Sequence, residues 1–203
     1  MDNYLLSEQE WEVAASADFI YRKNSVMNKV ILLLGQVQQE LASTILPPDI
    51  TLPAVCAQQS PKISKGEKYQ ELPYVILDYP RYFSQDAIFA FRTMFWWGHY
   101  FSCTLHLGGT IKEHYLPALL AGKEQLCEME IYVYNQEDPW LHDFENGNYQ
   151  PISSISTKEW QNIISHRSFV KLAKPFSLNT WENIIPEAAK VYTTFLKVLG
   201  PGG

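Results

Sequence analysis

The chain has 203 residues, of which 46% are hydrophobic and 19% are charged, so it can bury a core without disulfide or metal staples and does not fall in the disordered class. Its formal net charge is −6 and its lysines form no basic stripe, which excludes non-specific nucleic-acid binding. The longest apolar run, residues 30–34, is far too short to cross a bilayer.

The N-terminal region, residues 1–46, is predicted to be helical. Ser7 and Glu10 have the spacing of a capping box, and apolar residues then recur at steps of three and four as far as Ile45. One straight helix from Ser7 to Ile45 would be about 58 Å long, whereas a globule of this length is about 43 Å across. We therefore predict a break or kink at Asn24–Ser25, where the apolar stripe lapses. An unbroken helix would instead indicate an overhang used for packing in a homodimer.

The apolar pattern changes to a period of two in residues 62–175, which we predict to be a sheet-rich core. The predicted strands are Pro73–Tyr79, Ile88–Trp97, Tyr100–Leu107, Met129–Tyr134 and Phe169–Lys174. Most of these strands follow one another without crossover helices, which predicts an antiparallel or mixed sheet of about four to six strands. The fold class is therefore α+β. We predict that residues 1–203 form one domain, in which the N-terminal helical region and a C-terminal helix, residues 177–200, pack on the sheet.

The most informative segment is an aromatic hairpin, IFAFRTMFWWGHYFSCTLHL. Gly98 can adopt the positive φ that a two-residue hairpin turn requires, so we predict Gly98–His99 at the tip. That turn pairs Trp97 with Tyr100 and places Trp96 and Trp97 on opposite faces of the sheet.

In that register, one face of the hairpin combines aromatic rings with small hydroxyl groups and an imidazole. A face of this composition is typical of small-molecule sites, in which apolar area binds and a few polar groups orient the ligand. The predicted ligand-binding residues on it are Phe91, Phe95, Trp97, Thr104 and His106. The same residues also stabilise sheets without any ligand, so a purely structural role stays open.

Arg92 is the one charged residue on the other, apolar face of the predicted hairpin. A guanidinium group cannot lose its charge, so its burial requires a carboxylate partner. Asp78, Glu130 and Asp86 are the candidates within reach. Arg92 is therefore either half of a structural ion pair or an anion anchor in a ligand site.

The usual signatures of cofactor and metal chemistry are missing from the sequence. It contains no GxxxxGK[ST], GxGxxG, GxSxG or HExxH motif, and its three cysteines form no CxxC pair. We therefore predict no metal and no cofactor. The first residues, MDNYLLSEQEWE, lack the features of a secretory signal, so the expected location is the cytoplasm.

Negative charge is concentrated in residues 121–150, which hold seven carboxylates against the single basic residue Lys123. This segment includes DPWLHDF, with Trp140, His142 and Asp143. It is either a solvated acidic flank or a surface for a divalent cation or a basic partner.

Three hypotheses for function follow from these patterns. The leading one is an intracellular binding or interaction module that uses the aromatic and polar face of the hairpin for a small molecule or a protein. The second is a hydrolase or transferase with His106 as base and Arg92 or Lys65 as anion anchor. The third is a structural protein that forms a homodimer through its N-terminal helix.

Overall fold

The computed structural model describes residues 4–45 and 52–200, and these contain six α-helices and seven β-strands. The helices are Glu8–Ala15 (α1), Ala17–Ser43 (α2), Gly109–Ala121 (α3), Lys123–Glu128 (α4), Thr157–His166 (α5) and Ile184–Leu199 (α6). The strands are Lys62–Tyr69 (β1), Leu72–Phe83 (β2), Ala87–Trp96 (β3), Tyr100–Gly108 (β4), Tyr132–Tyr134 (β5), Tyr149–Pro151 (β6) and Phe169–Ser177 (β7).

All seven strands belong to one antiparallel sheet in the order β1-β2-β3-β4-β7-β5-β6. The predicted α+β class is confirmed, as are the N-terminal and C-terminal helices, and the sheet has one strand more than the upper bound predicted. Strand β7 comes last in the chain but lies between β4 and β5, so the sheet cannot be completed before the C-terminal part of the chain is in place.

One face of the sheet is covered by helices. Alternate strand residues such as Val75, Phe91 and Leu105 join α2, α3, α5 and α6 in the main hydrophobic core. The amphipathic pattern of α6 accounts for its position, because eight of its sixteen residues are buried on one side. The opposite face carries two smaller apolar clusters, centred on Trp96 and on Tyr134.

The N-terminal helical region differs from the prediction in the position of its break. The capping box is present, with the Ser7 hydroxyl accepting from the Glu10 amide and the Glu10 carboxylate accepting from the Ser7 amide. The helix is interrupted at Ser16, whose side chain caps the N-terminus of α2. Helix α2 then continues without interruption through Asn24–Ser25. The predicted kink there is wrong because both side chains are exposed, where a helix tolerates polar residues. The predicted boundary at residue 46 lies outside the described residues.

The C-terminal helix also starts later than residue 177. A 3₁₀ segment, Leu178–Asn183, precedes α6.

The hairpin between β3 and β4 has a turn one residue longer than predicted. Trp97, Gly98 and His99 form the turn, and Trp96 rather than Trp97 lies opposite Tyr100. Gly98 adopts the positive φ expected of it, 75°. Trp96 and Trp97 do lie on opposite faces, since they belong to different hydrophobic clusters. The predicted pairing is nevertheless wrong, and an error of one residue transfers every β4 side chain to the other face.

Candidate functional site

The sheet face opposite the helices, here called the polar face, gathers charged side chains from neighbouring strands. The register places Arg92 of β3 between Asp78 of β2 and Thr104 of β4. One row further along, His106 of β4 lies beside Lys171 of β7. Each of these residues follows or precedes a core residue, so strand alternation directs its side chain away from the helices.

The corrected register divides the predicted ligand-binding residues between the two faces. Arg92, Thr104 and His106 lie together on the polar face. Phe91, Phe95 and Trp97 lie on the helix side, where Phe91 packs against Tyr192 and Phe195 of α6 and Phe95 packs against Trp181. Phe91 and Phe95 are buried there and share no surface with His106.

Lys65, predicted as an alternative anion anchor, also lies away from this group. It pairs with Val75, a core residue on the helix side of the edge strand pair, and it is exposed.

Arg92 forms the ion pair that its position required. Its Nε and Nη2 donate to the two carboxylate oxygens of Asp78 at 2.7 and 2.9 Å, which confirms Asp78 among the three predicted partners. Its Nη1 donates to Nε2 of His142 at 2.9 Å. The side chains of Arg92 and Asp78 are only 12% and 9% exposed. The guanidinium therefore links the sheet to a residue fifty positions further along the chain.

His142 belongs to residues 135–148, here called the covering loop, which lies across the polar face. Lys171 is 1% exposed and donates to the backbone carbonyls of Pro139, at 3.1 Å, and Leu141. The Lys171 ammonium also lies 4.2 Å from the centre of the Tyr134 ring. Burial, followed by the charge of Arg92, lowers the pKa of Lys171 to about 7.

A second set of contacts holds the middle of the covering loop. Asp143 is fully buried and accepts hydrogen bonds from the Tyr69 hydroxyl, the Gln70 amide and the Asn148 amide at 2.7–2.8 Å. The Tyr69 hydroxyl in turn accepts the backbone N–H groups of His142 and Asp143. The backbone N–H of Phe144 donates to the Tyr100 hydroxyl. These contacts satisfy polar groups of a buried loop that would otherwise be costly to desolvate.

Two imidazoles lie on the polar face: His106 is buried and His142 is half-buried, and both are held in their neutral forms. Burial, then the charges of Lys171 and Arg92, lowers the pKa of His106 to about 3. Burial, then Arg92, Lys171 and His106, lowers the pKa of His142 to about 2. Nε2 of His106 has no hydrogen-bond partner among the described residues, and its ring packs edge-on against Trp140 and Phe169. Imidazoles in this setting are weak bases with restricted access to solvent.

The outer side of the covering loop has the opposite character. Trp140 is 54% exposed, and the neighbouring Glu137 and Asp138 are exposed as well, whereas Glu145 lies at the other end of the loop beside His99. Residues 135–148 contain no lysine or arginine. The loop therefore presents one large aromatic ring next to two exposed carboxylates.

The sequence singled out part of the covering loop but did not indicate which strands the loop contacts. The DPWLHDF segment stood out by composition, yet no local pattern indicates that it folds onto strands β1, β3 and β7. Tyr69, Tyr100 and Lys171 carry no motif signal at all, because their partners are 30 to 74 residues away.

Four depressions of the described surface lie away from Arg92, His106 and Lys171. They are lined by α5, by the junction of α3 and α4, by the segment before β1, and by Arg167 with residues 136 and 137 of the covering loop. Within residues 4–45 and 52–200, no three histidine, cysteine or acidic side chains are grouped to hold a metal ion. In the same ranges no helix is long and apolar enough to span a membrane.

Comparison with known proteins gives no assignment: the chain matches no protein-family model and has no significant sequence match among curated proteins.

Proposed function

We propose that this protein is a non-catalytic binding module that recognises a basic protein surface with the outer side of its covering loop. The observation that carries the proposal is the two-sided character of that loop. Its inner side is fixed by buried contacts to Arg92, Tyr69 and Lys171, while its outer side exposes Trp140 next to two carboxylates.

Fixing the loop before binding favours affinity. A loop that is already ordered loses less conformational entropy on association than a flexible one. The covering loop is held in one conformation by the buried hydrogen bonds of Asp143 and by the contact of His142 with the ion-paired Arg92. The recognition surface is thus the acidic loop, and the hairpin residues Arg92, Thr104 and His106 act as its support.

An exposed tryptophan suits the centre of a protein interface. Tryptophan is enriched among the residues that contribute most to binding, because a large rigid ring buries much area at small entropic cost. One edge of Trp140 rests near Phe83 and His106, and the remainder is free to contact a partner.

The charge of the loop selects the class of partner. The carboxylates of Glu137 and Asp138 beside Trp140 attract a positively charged protein surface, accelerate its encounter and repel acidic competitors. The same charge repels phosphate backbones, so a nucleic acid is a poor partner. The buried state of His106, with its pKa lowered to about 3, weighs against the alternative in which it acts as a general base near neutral pH.

We also propose a cytoplasmic location. All three cysteines, Cys56, Cys103 and Cys127, are free thiols, and Cys103 is fully buried. Free thiols are typical of a reducing compartment.

The test is a selection of binding peptides. A phage-displayed library of random peptides is selected on the immobilised full-length protein, and the affinities of the recovered peptides are measured by biolayer interferometry. We expect basic sequences to be enriched, with association rates that fall as salt is raised. Trp140→Ala should weaken their binding by at least tenfold, which corresponds to about 1.4 kcal/mol.

Matched variants distinguish the loop from general charge and aromatic content. Glu137→Gln with Asp138→Asn should weaken binding, whereas Glu124→Gln with Glu128→Gln, which removes the same charge from exposed sites on α4, should not. Trp11→Ala, at another exposed tryptophan, should leave binding unchanged. A library that yields no basic enrichment, or peptides that bind the Trp140→Ala protein normally while it remains folded, would refute the proposal.

A further inference from the structure

The first part of the described chain is unusually exposed. No residue from Tyr4 to Val26 is buried, and the first buried residue is Met27 in the second third of α2. This segment, residues 4–26, is here called the N-terminal arm. It nevertheless carries eight large apolar side chains that are each at least 47% exposed: Tyr4, Leu5, Leu6, Trp11, Val13, Phe19, Ile20 and Tyr21.

The apolar stripe of α2 continues into the arm beyond the body of the protein. Ile20, Met27, Leu34 and Leu41 are spaced seven residues apart and therefore lie along one side of the helix. Their exposed fractions are 48%, 6%, 0% and 3%. The same side of the helix is thus packed against the core over its C-terminal two thirds and open at its N-terminal end.

Helix α1 has too few contacts of its own to be stable in isolation. It is eight residues long and none of its residues is buried. Helices shorter than about 12 residues are marginal in water unless an apolar face is packed. The capping box contributes on the order of 1 kcal/mol, which does not replace such packing. The arm therefore has the properties of a segment whose apolar side chains become buried only when a partner binds.

The charges of the arm, together with Lys29 one turn further along α2, identify that partner as a second copy of the chain. Helix α1 contains Glu8, Glu10 and Glu12 and no basic residue. The following part of α2, up to Lys29, contains Arg22, Lys23 and Lys29 against Asp18 alone. An acidic segment followed by a basic one is complementary to itself when two copies lie antiparallel.

The area of the exposed side chains suits a dimer. Large side chains that are half exposed present on the order of 100 Å² each, so eight present roughly 800 Å² per copy. A stable interface buries about 800 Å² per partner, whereas a monomer exposes apolar patches of only a few hundred Å². An anionic membrane is a poorer occupant, because the carboxylates of α1 would be repelled by it.

We infer that two copies form a symmetric dimer in which α1 of each copy packs on the exposed N-terminal end of α2 of the other. Val13 and Ile20 lie within the apolar contact, and Glu8 and Glu12 of one copy face Arg22 and Lys29 of the other. The covering loop is not part of this contact, so the dimer leaves two acidic loops available. Binding of a partner by the loop and self-association by the arm can therefore be tested separately.

The test is the solution mass of the full-length chain by light scattering after size exclusion, over about 1 to 200 µM, a range in which a dimer of moderate affinity assembles by mass action. We expect the mass to approach twice 23.4 kDa. Ile20→Asp should hold the protein at the monomer mass. Leu32→Asp places the same charge on the outer side of α2, where Leu32 is 71% exposed, and should leave the dimer intact.

Charge reversal tests the antiparallel arrangement. Glu8→Lys with Glu12→Lys makes both α1 and the N-terminal part of α2 basic, and Arg22→Glu with Lys29→Glu makes both acidic. Glu10 and Lys23 are left in place, because Glu10 completes the capping box and Lys23 contacts Glu67. Each variant alone should be monomeric, and an equimolar mixture of the two should recover the dimer mass.

Three results would overturn the inference. One is a wild-type mass that stays at 23.4 kDa at every concentration. The second is a dimer that survives Ile20→Asp or is lost equally in Leu32→Asp. The third is a pair of charge-reversed variants that each self-associate as the wild type does, since this would place like segments of the two arms side by side.

Discussion

The guanidinium of Arg92 donates two hydrogen bonds to Asp78 and one to His142, and the Asp78 carboxylate that receives it is only 9% exposed. A charge pair so far removed from solvent adds little net stability compared with an apolar pair, because desolvation offsets most of the attraction. Removing only one of the two partners is strongly destabilising, because the remaining buried charge then has no counter-charge. Arg92 is therefore better understood as fixing the position of the covering loop than as strengthening the fold.

We expect Arg92→Met to lower the free energy of unfolding by about 3–5 kcal/mol, because it leaves the Asp78 carboxylate buried without a counter-charge. Urea unfolding followed by tryptophan fluorescence measures this change. Arg22→Met is the matched control, because it breaks an ion pair with Asp18 whose side chains are 80% and 66% exposed. At low protein concentration, where the dimer dissociates, it should change the free energy of unfolding by less than about 0.5 kcal/mol. Equal effects of the two substitutions would show that Arg92 is not in a buried pair.

His106 and His142 make the stability of the protein dependent on pH. In the unfolded chain each imidazole has a pKa near 6.5, whereas in the folded protein burial lowers the pKa values to about 3 and about 2. As the pH falls below about 6.5, the unfolded state therefore binds protons that the folded state does not bind. Stability is lost from that pH downward until the folded pKa is reached, and each imidazole contributes about 1.4 kcal/mol per pH unit well within the window.

The variant His106→Phe should remove one of these two contributions. Between pH 8 and pH 5 we expect the wild type to lose about 2 kcal/mol more unfolding free energy than the variant. Phenylalanine also fits a site in which Nε2 has no hydrogen-bond partner among the described residues, so the variant should remain folded at pH 8. His114→Phe, at an exposed site on α3, should keep the pH dependence of the wild type. Parallel curves for wild type and His106→Phe would contradict the burial of a neutral imidazole.

At the scale of elements, the β3–β4 turn decides which side chains of β4 face the helices and which face the covering loop. Gly98 has a φ of 75° and nothing within 4 Å of the position a Cβ would occupy. A side chain there would meet no obstacle, so the whole cost of a substitution comes from the left-handed backbone conformation.

Gly98→Ala should therefore destabilise the protein by about 1 kcal/mol. Gly35→Ala is its counterpart, because Gly35 also has open space around it but lies within α2. Alanine at that position should stabilise the helix by up to about 1 kcal/mol. Urea unfolding of both variants tests the pair, and the opposite signs are the essential result. Two changes of the same sign would place Gly98 in an ordinary backbone conformation.

At the scale of the whole molecule, local signals predicted the element types and the α+β class. The capping box at Ser7 and the requirement for a carboxylate beside Arg92 both depend on residue chemistry alone, and both are confirmed. The hairpin register was not predictable to the residue, because Gly98 serves a three-residue turn as well as a two-residue one. The one extra residue in the turn shifts the register of β4, and this shift is why Phe91 and His106 lie on different faces of the sheet.

The covering loop was beyond the reach of local reasoning for another reason. Its contacts join Asp143 to Tyr69 and His142 to Arg92, at separations of 74 and 50 residues. Such contacts form only in the completed sheet, in which residues of β1, β3 and β7 lie close enough together to contact the same loop. The sequence shows which residues the covering loop contains, whereas the residues that the loop packs on are determined by the assembled sheet.

The two ends of the chain should differ sharply in their importance for the fold. Helix α6 buries eight side chains, and α1 buries none. Buried apolar side chains contribute about 1.5–3 kcal/mol each, so the eight of α6 contribute roughly 12–24 kcal/mol. This matches or exceeds the roughly 5–15 kcal/mol by which a domain is usually stable. We expect deletion of residues 184–203 to abolish cooperative unfolding in urea. Deletion of residues 1–15 should leave the unfolding free energy within about 0.5 kcal/mol of the wild type when both are measured at low protein concentration, where the dimer dissociates. A large loss of monomer stability on removing residues 1–15 would mean that α1 packs on its own chain, and the arm would then not be available to a second copy.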